Sequence, residues 1–211
     1  MKIASYLVII FFAPAILLLN FHLLVFNKNF YKSEFTKLNV YREFSSQEEV
    51  DDQTSKLIQY LCCNGTLDDS FFDERERLHL FDVKNLIKIV NVQFFLFSTL
   101  ILICFGLNLR EKKFTTLFSS LKWGSAIANF AILILWLTTV FNFEPIFLNF
   151  HLVAFDNDLW MLPASSTLIK LFPQRFFVDF ANRIAIQTIL MAAVTFIASF
   201  FFGAKFDTKK R

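Results

Sequence analysis

The sequence predicts an all-α polytopic membrane protein, with four transmembrane helices and two long extracytoplasmic connections that carry short helical or re-entrant pieces. Three observations lead there. Of 211 residues, 55% are hydrophobic and 18% charged, with 31 phenylalanines against four glycines and four prolines; disordered, collagen-like and disulfide-scaffold chains do not have that composition. The apolar residues fall into four uncharged blocks, 3–27, 89–109, 123–143 and 184–204. Lysine and arginine, finally, are unevenly shared among the segments between them.

Each block is long enough to cross a bilayer once, since about 20 residues at roughly 1.5 Å each cover a hydrocarbon core of about 30 Å. Inside lipid a lone segment satisfies its backbone only as a helix. The first block has a signal-like start in Lys2 and Ala13-Pro14-Ala15, but its apolar run continues well past that triplet, so it reads as a retained span. Residues 1–2, 110–122 and 205–211 hold nine Lys/Arg in 22 positions, whereas 144–183 holds three in 40. Basic residues stay inside. Both termini are therefore expected in the cytoplasm, and the connections 28–88 and 144–183 outside, the whole of 1–211 forming one integral membrane domain of the cell membrane. The net charge of +3 then reflects topology and anionic lipid, with no nucleic-acid partner expected. The run Lys209-Lys210-Arg211 reads as a topology anchor.

In the first outside segment a helix is expected from Glu48 to Leu61, with Val50, Leu57 and Leu61 on one side and Asn64-Gly65 closing it. Asp73 is placed to N-cap a second helix that runs into the second span. On that helix Glu76, His79 and Asp82 recur every three residues, on neighbouring turns of one face. In the second outside segment, Pro145 to Phe155 is apolar but too short to span, and suits a re-entrant or interfacial piece. It contains His151. A polar cluster follows, Asp156-Asn157-Asp158-Leu159-Trp160. Pro163 and Pro173 then bracket a short LIKLF turn, and Arg175 precedes Phe176-Phe177 at the mouth of the last span.

Several chemistries lack their residues. The three cysteines show no CxxC spacing, and the adjacent pair Cys62-Cys63 has poor geometry for bonding to itself. Asn64-Gly65-Thr66 matches a glycosylation sequon. There is no GxSxG elbow, no HExxH and no glycine-rich phosphate loop, and four spans without buried charge offer little for a transporter. Of the three histidines, His22 lies near the outer end of the first span. His79 and His151 come from separate segments, yet both fall on the outside face, each with carboxylates nearby. Two chemistries remain open for such a pair. One is metal binding with Glu76, Asp82 or Asp158. The other is acid–base catalysis, which suffices when one substrate molecule carries both nucleophile and electrophile.

The stretches FFDERERLHLFDVK and FHLVAFDNDLW…P..STLIKLFPQRFF, on a four-span frame and with the YL..N..L approach to the first, resemble the lipoprotein intramolecular transacylases known as Lit. The family pattern ExxHxxDV matches Glu76, His79, Asp82 and Val83, and HxxxFxxDxW matches His151, Phe155, Asp158 and Trp160. Where the family's P..D.LI stretch carries an acidic residue, this chain has Ser165-Ser166-Thr167. The resemblance implies transfer of the sn-2 acyl chain of a diacylglyceryl lipoprotein onto the α-amino group of its N-terminal cysteine. It implies His79 and His151 as catalytic residues, with Glu76, Asp82 and Asp158 orienting them, Asn157 and Arg175 holding the head region, and Trp160 beside them. The expected partners are membrane lipids and the lipoprotein substrate, with no cofactor and no metal. A metal-dependent membrane hydrolase and a non-catalytic membrane binding protein are the alternative classes.

Overall fold

The computed structural model describes residues 2–208. Among the described residues every regular element is helical: α1 (Lys2–Val25), α2 (Lys28–Lys37), a single 3-10 turn η1 (Val40–Glu43), α3 (Gln47–Cys62), α4 (Glu74–Arg110), α5 (Phe114–Phe141), α6 (Phe143–Ala154), α7 (Thr167–Leu171) and α8 (Gln174–Thr208). Four of them, α1, α4, α5 and α8, are long and apolar enough to cross a membrane. The four expected spans fall mostly on these helices: α1 ends at Val25, two residues short of its block, and α5 at Phe141, with Asn142 breaking the helix before Phe143 starts α6. Helices α4 and α8 extend far beyond their uncharged blocks, because nothing in their flanking sequence breaks a helix. Lys209, Lys210 and Arg211, and the side chain of Lys2, lie outside the described residues.

The described chain divides into two compact units. One comprises Met1–Phe21, Asn91–Thr138 and Arg183–Arg211. Small residues let its helices approach: a Cβ on Gly124 of α5 would meet the Phe12 Cβ at 3.1 Å and the Ile9 Cα at 3.4 Å, and Ile16, Ala128 and Ala192 bury one another with Phe12 and Ala13 packed alongside. Close approach of this kind replaces the missing hydrophobic drive between helices in lipid. Three buried polar side chains donate to their own helices: Asn20 to the Ile16 carbonyl at 2.8 Å, Asn108 to Cys104 at 2.8 Å and Thr188 to Ile184 at 2.7 Å. Large apolar side chains such as Phe95, Leu102, Phe130 and Phe201 point outward, as a lipid-facing surface requires.

The other unit comprises His22–Val90 and Thr139–Asn182. Helix α2, with η1 after it, is the element the sequence reading did not anticipate. Its N-terminus is capped by Asn27, whose side chain accepts from the Asn29 and Phe30 amides. It buries Phe30, Tyr31 and Phe35, which pack against Phe172 and Phe176. Lys37 then pairs with buried Asp179 at 2.7 Å. Helix α3 matches expectation: Val50, Leu57 and Leu61 are all buried, and Ser46 caps its start by accepting from the Glu49 amide at 3.1 Å. The apolar Pro145–Phe155 piece is mostly the helix α6, and the LIKLF turn is the short helix α7.

One expectation is corrected. Cys62 and Cys63 are joined by a disulfide. Adjacent cysteines pair poorly on a regular backbone, but Cys63 leaves the helical region (φ −141°, ψ −146°) just as α3 ends. Beyond it Gly65 folds back so closely that an added Cβ would lie 2.7 Å from the Tyr60 nitrogen and 2.8 Å from the Gln59 carbonyl carbon. Both are main-chain atoms that cannot swing away. Gly65→Ala is therefore expected to cost about 1–3 kcal/mol through overpacking, lowering the thermal midpoint of the detergent-solubilised protein. Gly106→Ala, where nothing lies within 4 Å of the added carbon, is the control and should not lower it.

Candidate active site

The site lies within the second unit and starts from a helix terminus. Asp73 precedes α4, and its Oδ1 accepts from the Glu76 amide at 2.8 Å while Glu76 Oε2 accepts from the Asp73 amide at 2.8 Å. This reciprocal box satisfies two amides that the first helical turn leaves without partners. The second Glu76 oxygen, Oε1, accepts from the Leu168 amide of α7 at 2.7 Å. Glu76 is 1% exposed, and each of its oxygens accepts from a main-chain donor, the two donors lying on elements distant in sequence.

One turn further along α4 stands His79, which is buried. His151, on the last turn of α6, is buried too. Their ring centroids are 6.4 Å apart with the planes 30° from parallel, which leaves room for a reacting group about 3 Å from each. Aromatic side chains wall the pair. Phe155 meets His79 edge-on at 5.2 Å, while Phe147 lies 4.4 Å and Trp160 4.9 Å from His151. His151 Nδ1 is 2.7 Å from the Phe147 carbonyl oxygen. A carbonyl only accepts, so Nδ1 carries a proton, and Nε2 is the nitrogen left free of that bond. His79 Nδ1 is buried without a partner among the described residues. Burial, and then the neighbouring charge of a protonated His151, push the His79 pKa from 6.5 down to about 4, against the opposing pull of Asp82. His79 is a neutral ring at neutral pH.

The remaining expected residues are drawn in unequally. Asp82 accepts from the Asn157 side chain at 2.9 Å. Asn157 in turn accepts from the Leu159 amide at 3.0 Å through its side chain, and its carbonyl accepts from Trp160 Nε1 at 3.0 Å. Arg75 donates to the Asp158 carbonyl and lies 3.6 Å from its carboxylate. Two positions on α4 thus hold the turn that presents Trp160 to His151. Glu76, Asp82 and Asp158 were expected to orient the imidazoles, yet they pair with main-chain amides, Asn157 and Arg75 respectively. Arg175 pairs with Asp179 at 3.3 Å, in the Lys37 network. His22 packs edge-on against Phe26 at 5.1 Å. Phe147 and the Leu168 amide were missed. The Phe147–His151 spacing of four would have revealed the first, once Pro145–Phe155 was read as a helix; no sequence signal points to the second. Among the described residues no three His, Cys, Asp or Glu side chains gather as metal ligands would.

The profile of the family described as "Lipoprotein intramolecular transacylase Lit" matches residues 6–177. The chain belongs to the lipoprotein intramolecular transacylase family. Its fold is similar to that of the membrane integral Lit of Bacillus cereus, with a TM-score of 0.88 and 22% identity over 98% of this chain and 97% of that one. A second structure of that protein, with a histidine replaced by arginine, gives a TM-score of 0.83 at 23% identity, covering 99% and 94%. An uncharacterized protein of Aquifex aeolicus is 30% identical over 135 residues, 64% of this chain and 59% of that relative's length. The departure from the Lit pattern at Ser165-Ser166-Thr167 now has a physical reading. Ser166 N-caps α7, its hydroxyl oxygen accepting from the Ile169 amide at 3.3 Å, and serine and aspartate serve as N-caps about equally well.

Two outcomes are expected. Glu76→Ala leaves the Asp73 and Leu168 amides without their acceptor, at about 1–3 kcal/mol for each buried donor. Glu76→Gln should lose most of the same stability, because its –NH2 faces one amide donor to donor; full recovery of the thermal midpoint by glutamine would refute the double-acceptor role. The second outcome concerns pH. The folded His79 ring stays neutral down to about 4 whereas the unfolded chain takes its proton near 6.5, so the stability it confers is complete above pH 6.5 and is lost as pH falls toward 4. His79→Gln should flatten that part of the acid decline in thermal midpoint, and unchanged slopes would count against a neutral buried ring.

Proposed function

We propose that this protein moves the sn-2 acyl chain of a diacylglyceryl lipoprotein onto the α-amine of the N-terminal cysteine, leaving a lyso-form lipoprotein. The observation that carries the reading is the pair of buried histidines, 6.4 Å apart between aromatic walls, at the two positions where the chain matches the family motifs. Amine and ester belong to one molecule, so positioning takes the place of an enzyme nucleophile.

The α-amine has an ordinary pKa of about 7.7–8.0 and attacks only as the free base. Attack on the sn-2 ester carbonyl forms the N–C bond and places negative charge on the carbonyl oxygen. His151 is assigned as the base: its Nδ1–H is committed to the Phe147 carbonyl, so Nε2 takes the proton released by the attacking nitrogen. Collapse breaks the C–O bond to glycerol, and the same proton passes from Nε2 to the departing oxygen, so no net proton is consumed. His79 is assigned to the oxyanion. An orphaned acceptor costs less than an orphaned donor, so its partnerless Nδ1 favours the tautomer with the proton on Nε2, which then donates to the charged oxygen. Asp82, Asn157 and Asp158 act through the turn that carries Trp160, and Glu76 through α7.

The reading places both termini in the cytoplasm of a cell-membrane protein, with the histidines on the outer face. It is supported by the basic residues of 1–2, 110–122 and 205–211 and by the positive-inside rule.

The test is mass spectrometry of a lipoprotein's N-terminal lipopeptide, from a host without its own N-acylating enzymes. Wild type should convert diacylglyceryl ends to lyso N-acyl ends. His79→Ala and His151→Ala should each slow conversion by about 100-fold or more, the usual size of an acid–base contribution. A folded wild-type protein that leaves the diacyl form intact would overturn the proposal.

A further inference from the structure

The transacylase reading accounts for acyl chains, ester and amine, but not for the polypeptide that continues from the modified cysteine. A cavity of about 490 Å³ in the histidine-bearing unit has the chemistry to take it. It is an open cleft where η1 packs against α7, bordered by the start of α3 and the segment that leads into α4. Phe44 and Phe71 stack within it, 5.6 Å apart. Around them stand Arg42 and Lys170 with Glu43 and Glu49. None of these four charged side chains makes a salt bridge among the described residues.

Unpaired charges of both signs around a small apolar floor are a poor home for an acyl chain. They suit a peptide backbone: its carbonyls meet the cations and its amides the carboxylates, each a charge-assisted hydrogen bond. The volume is in the ordinary range for a small bound segment. The cavity is also joined to the histidines through the chain itself. Phe71 lies two residues before Asp73, and Asp73 is six residues before His79, about 9 Å along α4. Thr167, another lining residue, adjoins Leu168, whose amide is held by Glu76. An extended chain at about 3.3 Å per residue bridges such a gap in about three to five residues.

Resting on the transacylase reading, we propose that this cavity binds the polypeptide three to five residues beyond the lipidated cysteine, through main-chain contacts with Arg42, Lys170, Glu43 and Glu49, without selecting a side-chain sequence. The experiment compares two synthetic substrates on the purified full-length protein in detergent: dipalmitoylglyceryl-cysteine amide, and the same lipid on cysteine followed by six uncharged polar residues. For wild type, KM for the tailed substrate should lie about tenfold below that of the amide. In Arg42→Ala/Lys170→Ala the ratio of the two KM values should fall to about one. Both constants come from one preparation, so partial unfolding does not mimic the change. Equal KM values in wild type, or an unaltered ratio in the double variant, would overturn the proposal. Conversion of neither substrate by folded wild type would instead bring down the transacylase reading on which it rests.

Discussion

The arrangement depends on one carboxylate that holds two helix starts at once. Glu76 is buried, and its two oxygens serve amides at the starts of α4 and α7. A buried ion is tolerable when donors replace its lost hydration, and here the donors are backbone, whose positions are set by helix geometry. The bond to Leu168 fixes α7 against the helix that carries His79, one turn away. It also locates the η1–α7 junction, because α7 is the wall shared by the two regions. Ser166 and Asp73, each an N-cap, make the two helix starts definite enough for one side chain to bridge.

The histidines depend on that frame differently. His151 is oriented by its own helix, through the Phe147 carbonyl one turn back. His79 has no such hydrogen bond at Nδ1, so its ring is held by packing against Phe155 and by the rigidity of α4. The two imidazoles thus differ in their polar surroundings although both are buried. That difference supports dividing base and oxyanion work between them, which residue type and spacing alone did not do.

The spans were legible because lipid imposes a length and a composition that few other structures share. Helix α3 was legible because Val50, Leu57 and Leu61 repeat with helical spacing. Helix α2 was not: Phe30, Tyr31 and Phe35 lie just beyond a span, where aromatic side chains are as much at home in the interface as in a core, and their partners Phe172 and Phe176 come more than 130 residues later. The same limit hid the role of Glu76. Its spacing from His79 marked it as important, but its acceptors' partners are main-chain amides, one of them 92 residues distant, and such amides have no sequence signature. The disulfide escaped for a local reason, since the backbone of Cys63 departs from regular geometry at a helix end. Arg175 was placed by proximity in sequence to the last span, and its actual partner, Asp179, lies on the next turn of the same helix.

The aromatic walls around His151 carry a further meaning for a reaction at an ester. An activated carbonyl in an aqueous site faces water at about 55 M, on the ordinary scale against which effective molarities are reckoned, and hydrolysis is the default fate of an acyl group. Phe147, Phe150, Phe155 and Trp160 surround the His151 ring with centroids 4.4 to 5.7 Å away. They offer a stray water almost no hydrogen-bonding partner there. In the proposed reaction the partition of the acyl group between amine and solvent is thereby set by side chains that do no proton chemistry. The phenylalanines would separate a transferase from an esterase built on the same two histidines.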